Sequence, residues 1–130
     1  MRKVILMILL VVASSNAVAE WVKVTSISDS GLTVYADPTT ISKSGDTVAM
    51  SSMYDFKAAQ MEEGFEPYVS ARFQVEYDCK EKQKRVIEFN NYSKNMGNGE
   101  VVFSYNDTDK WTPVELNSVS EPLWKSACGK

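Results

Sequence analysis

The sequence contains no histidine. That absence removes the usual imidazole base of acyl transfer, the histidine ligands of zinc and haem, and the simplest switch operating near neutral pH. Cysteine is almost as scarce. Cys79 and Cys128 are the only two, and no CxxC pair is present, so dithiol redox chemistry has no motif to run on. Gly97-Asn98-Gly99 carries neither the lysine nor the following helix that a phosphate cradle needs. Apolar runs are confined to the N-terminus, and none approaches the about 20 residues of a transmembrane helix. These absences point away from an enzyme, and neither a cofactor nor a metal is expected.

What is present begins with an export signal. Arg2 and Lys3 precede the apolar run Val4 to Val12, and Ala17-Val18-Ala19 supplies a small-x-small cleavage site. Charge, apolar run and cleavage site in this order define a secretory signal peptide over residues 1–19, with a mature domain over residues 20–130. The expected location is periplasmic or secreted, and no cysteine stands at the mature N-terminus to accept a lipid. Loss of Arg2 and Lys3 leaves 12 basic against 17 acidic side chains, a net charge of −5. Such a surface repels polyanions, so nucleic acid is not an expected partner. The mature chain shows no repeat or second composition regime and reads as one domain, at a size where burial is only moderately efficient. In an oxidising compartment its two cysteines most economically form one disulfide, the alternatives being a free thiol or a bridge between chains.

The clearest periodicity lies in YVSARFQVEYDC, residues 68–79. Val69, Ala71, Phe73, Val75, Tyr77 and Cys79 share one parity, and Ser70, Arg72, Gln74, Glu76 and Asp78 share the other. This alternation predicts a long antiparallel strand with one buried face. Shorter strand patterns start at Trp21, Leu32, Thr47, Arg85 and Glu100. Turns are expected at Asp29-Ser30-Gly31, Ser44-Gly45-Asp46 and Gly97-Asn98-Gly99. Asp37-Pro38-Thr39-Thr40 reads as a helical or turn segment between strands. Lys57 to Pro67 breaks the alternation and reads as a short helix or mobile loop ending at Gly64.

At the C-terminus the period changes. Val119, Leu123 and Ala127 recur at four-residue spacing beside Trp124 and Cys128, the stripe of a helix facing a core. Ser118 to Glu121 matches a capping box, but Ser118 as N-cap would put Pro122 where the ladder wants an N–H. Ser120 as N-cap places Pro122 second in the helix, where no donor is missed. A two-turn helix is unstable alone in water, so its stripe must lie on the sheet and carry Cys128 toward Cys79, with Trp124 filling the adjacent space. The expected fold class is α+β: a single antiparallel β-sheet of about six strands with a C-terminal helix packed on one face and one disulfide.

Candidate contact residues are few. Lys80, Lys82, Lys84 and Arg85 form a basic cluster after the long strand, readable as a polyanion patch or as a solvated hairpin turn whose charges blunt a sheet edge. Phe65 and Tyr68 flank Pro67 and read either as an exposed contact patch or as core. Asn106, Asp107 and Asp109 lack the glycine and glutamate of a calcium loop and read as a wet turn. An unpaired edge strand would also give a second copy somewhere to pair, so a homodimer is compatible with the sequence.

Seven blocks carry a family resemblance: EWVKV, TVYADPTTI, MYDF, EYDCKE, NYSKNMGNGEVVFS, KWTPV and SEPLWKSACGK, which together cover nearly the whole mature chain. The pairing of YDC with a terminal W-x-x-AC is the most specific element. On these residues the chain resembles the surface-adhesin protein E-like family of exported bacterial domains. The resemblance implies an antiparallel sheet with a C-terminal helix tied by Cys79–Cys128. It also implies an adhesin-like, non-enzymatic module with a protein partner, because the family's namesake is a lipoprotein adhesin that binds host matrix proteins. This sequence departs from the namesake in lacking the lipid-accepting cysteine.

Overall fold

The computed structural model describes residues 19–130. The leader expected at residues 1–19 lies outside the described residues except for Ala19. Six strands pair in the order in which the chain makes them: β1 (Val22–Ile27), β2 (Leu32–Ser44), β3 (Thr47–Gln60), β4 (Tyr68–Asp78), β5 (Gln83–Tyr92) and β6 (Val101–Tyr105). Every pairing is antiparallel. A seventh strand of two residues, β7 (Thr112–Pro113), pairs with the start of β5. The chain closes with the helix α1 (Ser120–Cys128), and Gly129 ends it in the left-handed conformation. The fold is thus the expected sheet, helix and disulfide.

One face of the sheet carries the core. Val34, Val48, Met50, Val75 and Tyr77 from β2, β3 and β4 meet Leu123, Trp124 and Ala127 from α1. Trp124 is the anchor. It is buried, its Nε1–H donates to the Asp78 carbonyl at 3.0 Å, and Lys82 lies 5.2 Å above its ring. Beside it the Cys79–Cys128 disulfide joins the end of β4 to the end of α1 across 49 residues. The helix is fixed at both ends, since Lys82 Nζ pairs with Glu121 in its first turn at 3.0 Å.

The opposite face is covered by chain rather than by helix. Between β5 and β6 a single 3-10 turn, Asn95–Gly97, folds back over β3 and β4. The Ser70 hydroxyl ties it down by donating to the Lys94 carbonyl at 2.6 Å and accepting from Gly97 N at 2.9 Å. A Cβ on Gly97 would stand 2.9 Å from Met53 Cε, and its φ of +71° lies in the left-handed region. Glycine is required there on both counts.

Three expectations are corrected. Asp37–Thr40 is neither helix nor turn but an irregular stretch inside β2, where the register with β3 shifts between Asp37 and Ser42. Buried Asp37 holds it by accepting from Thr39 N and Thr39 Oγ1, while Thr40 Oγ1 accepts from Ser51 N at 2.9 Å. The threonine hydroxyl thereby replaces a ladder carbonyl, and the strand runs on past Pro38. Lys57–Gln60 is likewise not helical: β3 continues through it, leaving a loop over residues 61–67. Finally, the N-cap of α1 is Val119, not Ser120, and it makes no side-chain cap bond. Pro122 falls third in the helix, still among the positions that have no ladder acceptor to lose.

Candidate functional site

The helix packs on β1 to β4, so the same face of the sheet continues uncovered toward β5 and β6. There the sequence places a row of rings. Phe73, Phe89 and Tyr105 stand directly opposite one another across β4, β5 and β6. Phe73 stacks on Phe89 at 5.3 Å, and Phe89 on Tyr105 at 5.5 Å. Tyr54 extends the row to β3 at 4.7 Å from Phe73, and Phe103 joins it 5.7 Å from Phe89. All five side chains are half-buried. Such cross-strand ring pairs stabilise one another by about 0.5–1.5 kcal/mol beyond their burial and keep the surface rigid.

The row depends on an irregularity in β5. Val86 pairs with Val75 and Glu88 pairs with Gln74, leaving Ile87 as an extra residue. Val86 and Phe89 differ in parity, and an unbroken strand would send them to opposite faces. The bulge brings both to the helix side.

Phe65 reaches this row from the 61–67 loop. Its ring meets Phe103 edge-on at 4.7 Å and stays half-buried. Tyr68 does not join it. Tyr68 is buried, stands 6.0 Å from Phe56 and donates its hydroxyl to Glu62 Oε1 at 2.9 Å. Burial, followed by the bond to Glu62, pushes its pKa up to about 12. The two residues flanking Pro67 therefore divide, one to the half-buried aromatic row and one to the interior.

The basic cluster lies on the β4–β5 turn and the start of β5, and two of its four cations are engaged. Lys82 is held by Glu121 and Trp124. Arg85 pairs with Glu76 at 2.9 Å and lies 4.5 Å over Trp111. Lys84 is half-buried, and desolvation lowers its pKa below the usual lysine value, against the pull of Glu115 and Asp109. Lys80 alone of the four is exposed. Lys82 and Arg85 thus bind their own protein, while Lys80 and Lys84 form no ion pair among the described residues.

The aromatic row was missed in the sequence although each ring sat in an expected strand. Its signal was the common parity of Phe73, Val75 and Tyr77 in one strand and of Phe103 and Tyr105 in another. What linked them was the bulge, which no local pattern reveals. No group of three or more Cys, Asp or Glu side chains capable of holding a metal occurs among the described residues. No helix among them is long and apolar enough to cross a membrane.

Comparison with solved structures finds the same fold in Haemophilus influenzae protein E. Its selenomethionine form superposes with a TM-score of 0.62 at 10% identity, over 84% of this chain and 85% of that one. A second structure of that protein gives 0.59 at 13% identity over 84% and 93%, and its crystal form II gives 0.61 at 11% over 85% and 97%. No curated protein sequence matches. The surface-adhesin protein E family matches residues 21–129, nearly the whole described domain. With the sheet, the helix and the disulfide all in place, the chain belongs to the surface-adhesin protein E family.

Proposed function

We propose that this chain is an exported, non-enzymatic, adhesin-like binding domain that engages a protein partner through the open aromatic row. The observation that carries the reading is the run of half-buried rings, Tyr54, Phe73, Phe89, Phe103, Tyr105 and Phe65, on the part of the sheet face beyond α1. Contiguous apolar surface is rare on proteins without partners, and aromatic side chains dominate the energetic centres of interfaces. Membership of an adhesin family supports a role for that surface outside the cytoplasm. A host or matrix protein is the partner class the family resemblance implies.

Surface plasmon resonance of the disulfide-bonded protein against matrix proteins such as vitronectin and laminin tests the reading. Phe103→Ser should weaken binding by about tenfold or more, as loss of a central ring does at interfaces. Flat traces from well-folded protein would remove the adhesin reading. A second reading, an accessory protein with an endogenous envelope partner, is favoured by one fact: the pairing of Cys79 with Cys128 leaves neither described cysteine to take a lipid. Protease treatment of intact cells separates the two, because a surface protein is digested and a periplasmic one is protected until the outer membrane is opened.

A further inference from the structure

Between the first turn of α1 and the sheet lies a cavity of about 120 Å³ whose polar lining is Ser52, Tyr54, Tyr77, Lys84 and Ser120. Ser52 and Tyr77 are each only 1% exposed. Polar groups buried so deeply normally find protein partners. Among the described residues these two hydroxyls form no hydrogen bond, yet no side-chain oxygen or nitrogen is fully sealed without a partner. Both hydroxyls therefore keep some accessible surface, and both residues line the cavity. Tyr54, Lys84 and Ser120 likewise make no side-chain hydrogen bond to described residues, and Lys84 has no ion pair among them.

The lining has a consistent chemical sense. It offers a lysine, four hydroxyls and the N-terminal end of a nine-residue helix, which carries partial positive charge. No carboxylate lines it. The remaining walls include Val75, Val86 and Leu123, which suit a short alkyl group and not a heavily hydrated ion. Its volume equals about four water molecules of the bulk liquid, the size of a ligand with a few heavy atoms. We infer that this cavity is a binding site for a small carboxylate with a short apolar tail, held by Lys84 and the hydroxyls of Ser52 and Tyr77. The same chemistry is presented by a free carboxylic acid and by an acidic side chain of a bound protein, since Tyr54 and Phe73 border both the cavity and the aromatic row.

The test is an NMR titration of the disulfide-bonded protein with propionate, with propionamide as the neutral isostere. The expected result is saturable shifts clustered at Ser52, Tyr77, Lys84 and Ser120, with propionamide weaker by about tenfold or more, the value of a charge-assisted bond. Lys84→Met keeps the stem and should weaken propionate similarly; Tyr77→Phe removes only the hydroxyl and should weaken it less. Should Tyr77→Phe fold poorly, Lys84→Met decides alone. N-acetylglutamic acid amide, used in parallel, separates the sources: tighter binding than propionate assigns an acidic side chain, and weaker binding a free acid. Equal shifts for propionate and propionamide, or an unchanged response in Lys84→Met, would overturn the inference and leave a water-filled cavity. Matrix-protein binding, tested with Phe103→Ser, can fail or succeed independently.

Discussion

Reduction of Cys79–Cys128 perturbs the chain at one defined place. The bond closes a loop of 49 residues in sequence separation, from the end of β4 to the end of α1. On the chain-entropy model, releasing a loop of that length frees the unfolded ensemble by about 4 kcal/mol. A domain of this size has a total stability of about 5–15 kcal/mol, so the loss is a large fraction of the whole. With an unfolding entropy of about 2.1 cal/mol/K per residue, it corresponds to a fall in Tm of up to about 17 °C. The native corner has other ties that survive reduction: Cys79 N donates to the Asp46 carbonyl at 2.9 Å, and Trp124 donates to Asp78. The folded structure should therefore persist well below the transition, with an unchanged circular dichroism spectrum. The assay is thermal unfolding of oxidised and reduced samples, with thiols counted before each scan. Transitions within about 2 °C of each other, with both thiols titrating as free, would refute the clasp, because almost none of the loop-entropy stabilisation would then be realised.

Trp124→Phe should cost about 1–3 kcal/mol in urea denaturation, from a smaller ring, a lost indole donor to Asp78 and a lost platform for Lys82; an unchanged midpoint would show that the indole does not anchor the helix. Gly97→Ala should destabilise by about 1 kcal/mol or more through its left-handed φ and the contact with Met53, and it should leave Phe89 and Phe103 chemical shifts nearly unmoved because the turn lies on the other face. At alkaline pH, burial holds the Tyr54, Tyr68 and Tyr77 pKa values above the ordinary 10.0. The folded state then keeps protons that the unfolded chain releases, so this stability is present below pH 10 and is lost as pH rises through the folded-state values, about 12 for Tyr68. Lys84, with its pKa lowered by burial, acts in the opposite sense as pH rises toward 10.5, one group against three. Ultraviolet titration should show these tyrosines ionising only with unfolding, and ordinary ionisation in the folded state would contradict their burial.

Much of this molecule is legible in local pattern. The alternation of residues 68–79 placed β4 with its ends almost correct, because a half-buried strand writes its two faces directly into the sequence. The four-residue recurrence of Val119, Leu123 and Ala127 placed α1 for the corresponding reason. Where local signals misled, a long-range partner had intervened. Pro38 spoke for a turn, but buried Asp37 and the Thr40 hydroxyl supplied the bonds that carry β2 past it. Lys57–Gln60 showed no alternation, yet β3 continues through them.

By itself, then, the sequence determined the layers, the helix, the cysteine pairing and the absence of histidine chemistry, all of which follow from periodicity and residue type. Only the tertiary structure decided which surfaces remain open. The bulge at Ile87 turns Phe89 to the face of Phe73, α1 stops short of β5, and Tyr77 and Ser52 meet Lys84 beneath a helix made more than thirty residues later in the chain. Register and coverage are properties of pairs of elements distant in sequence, so no single segment can record them.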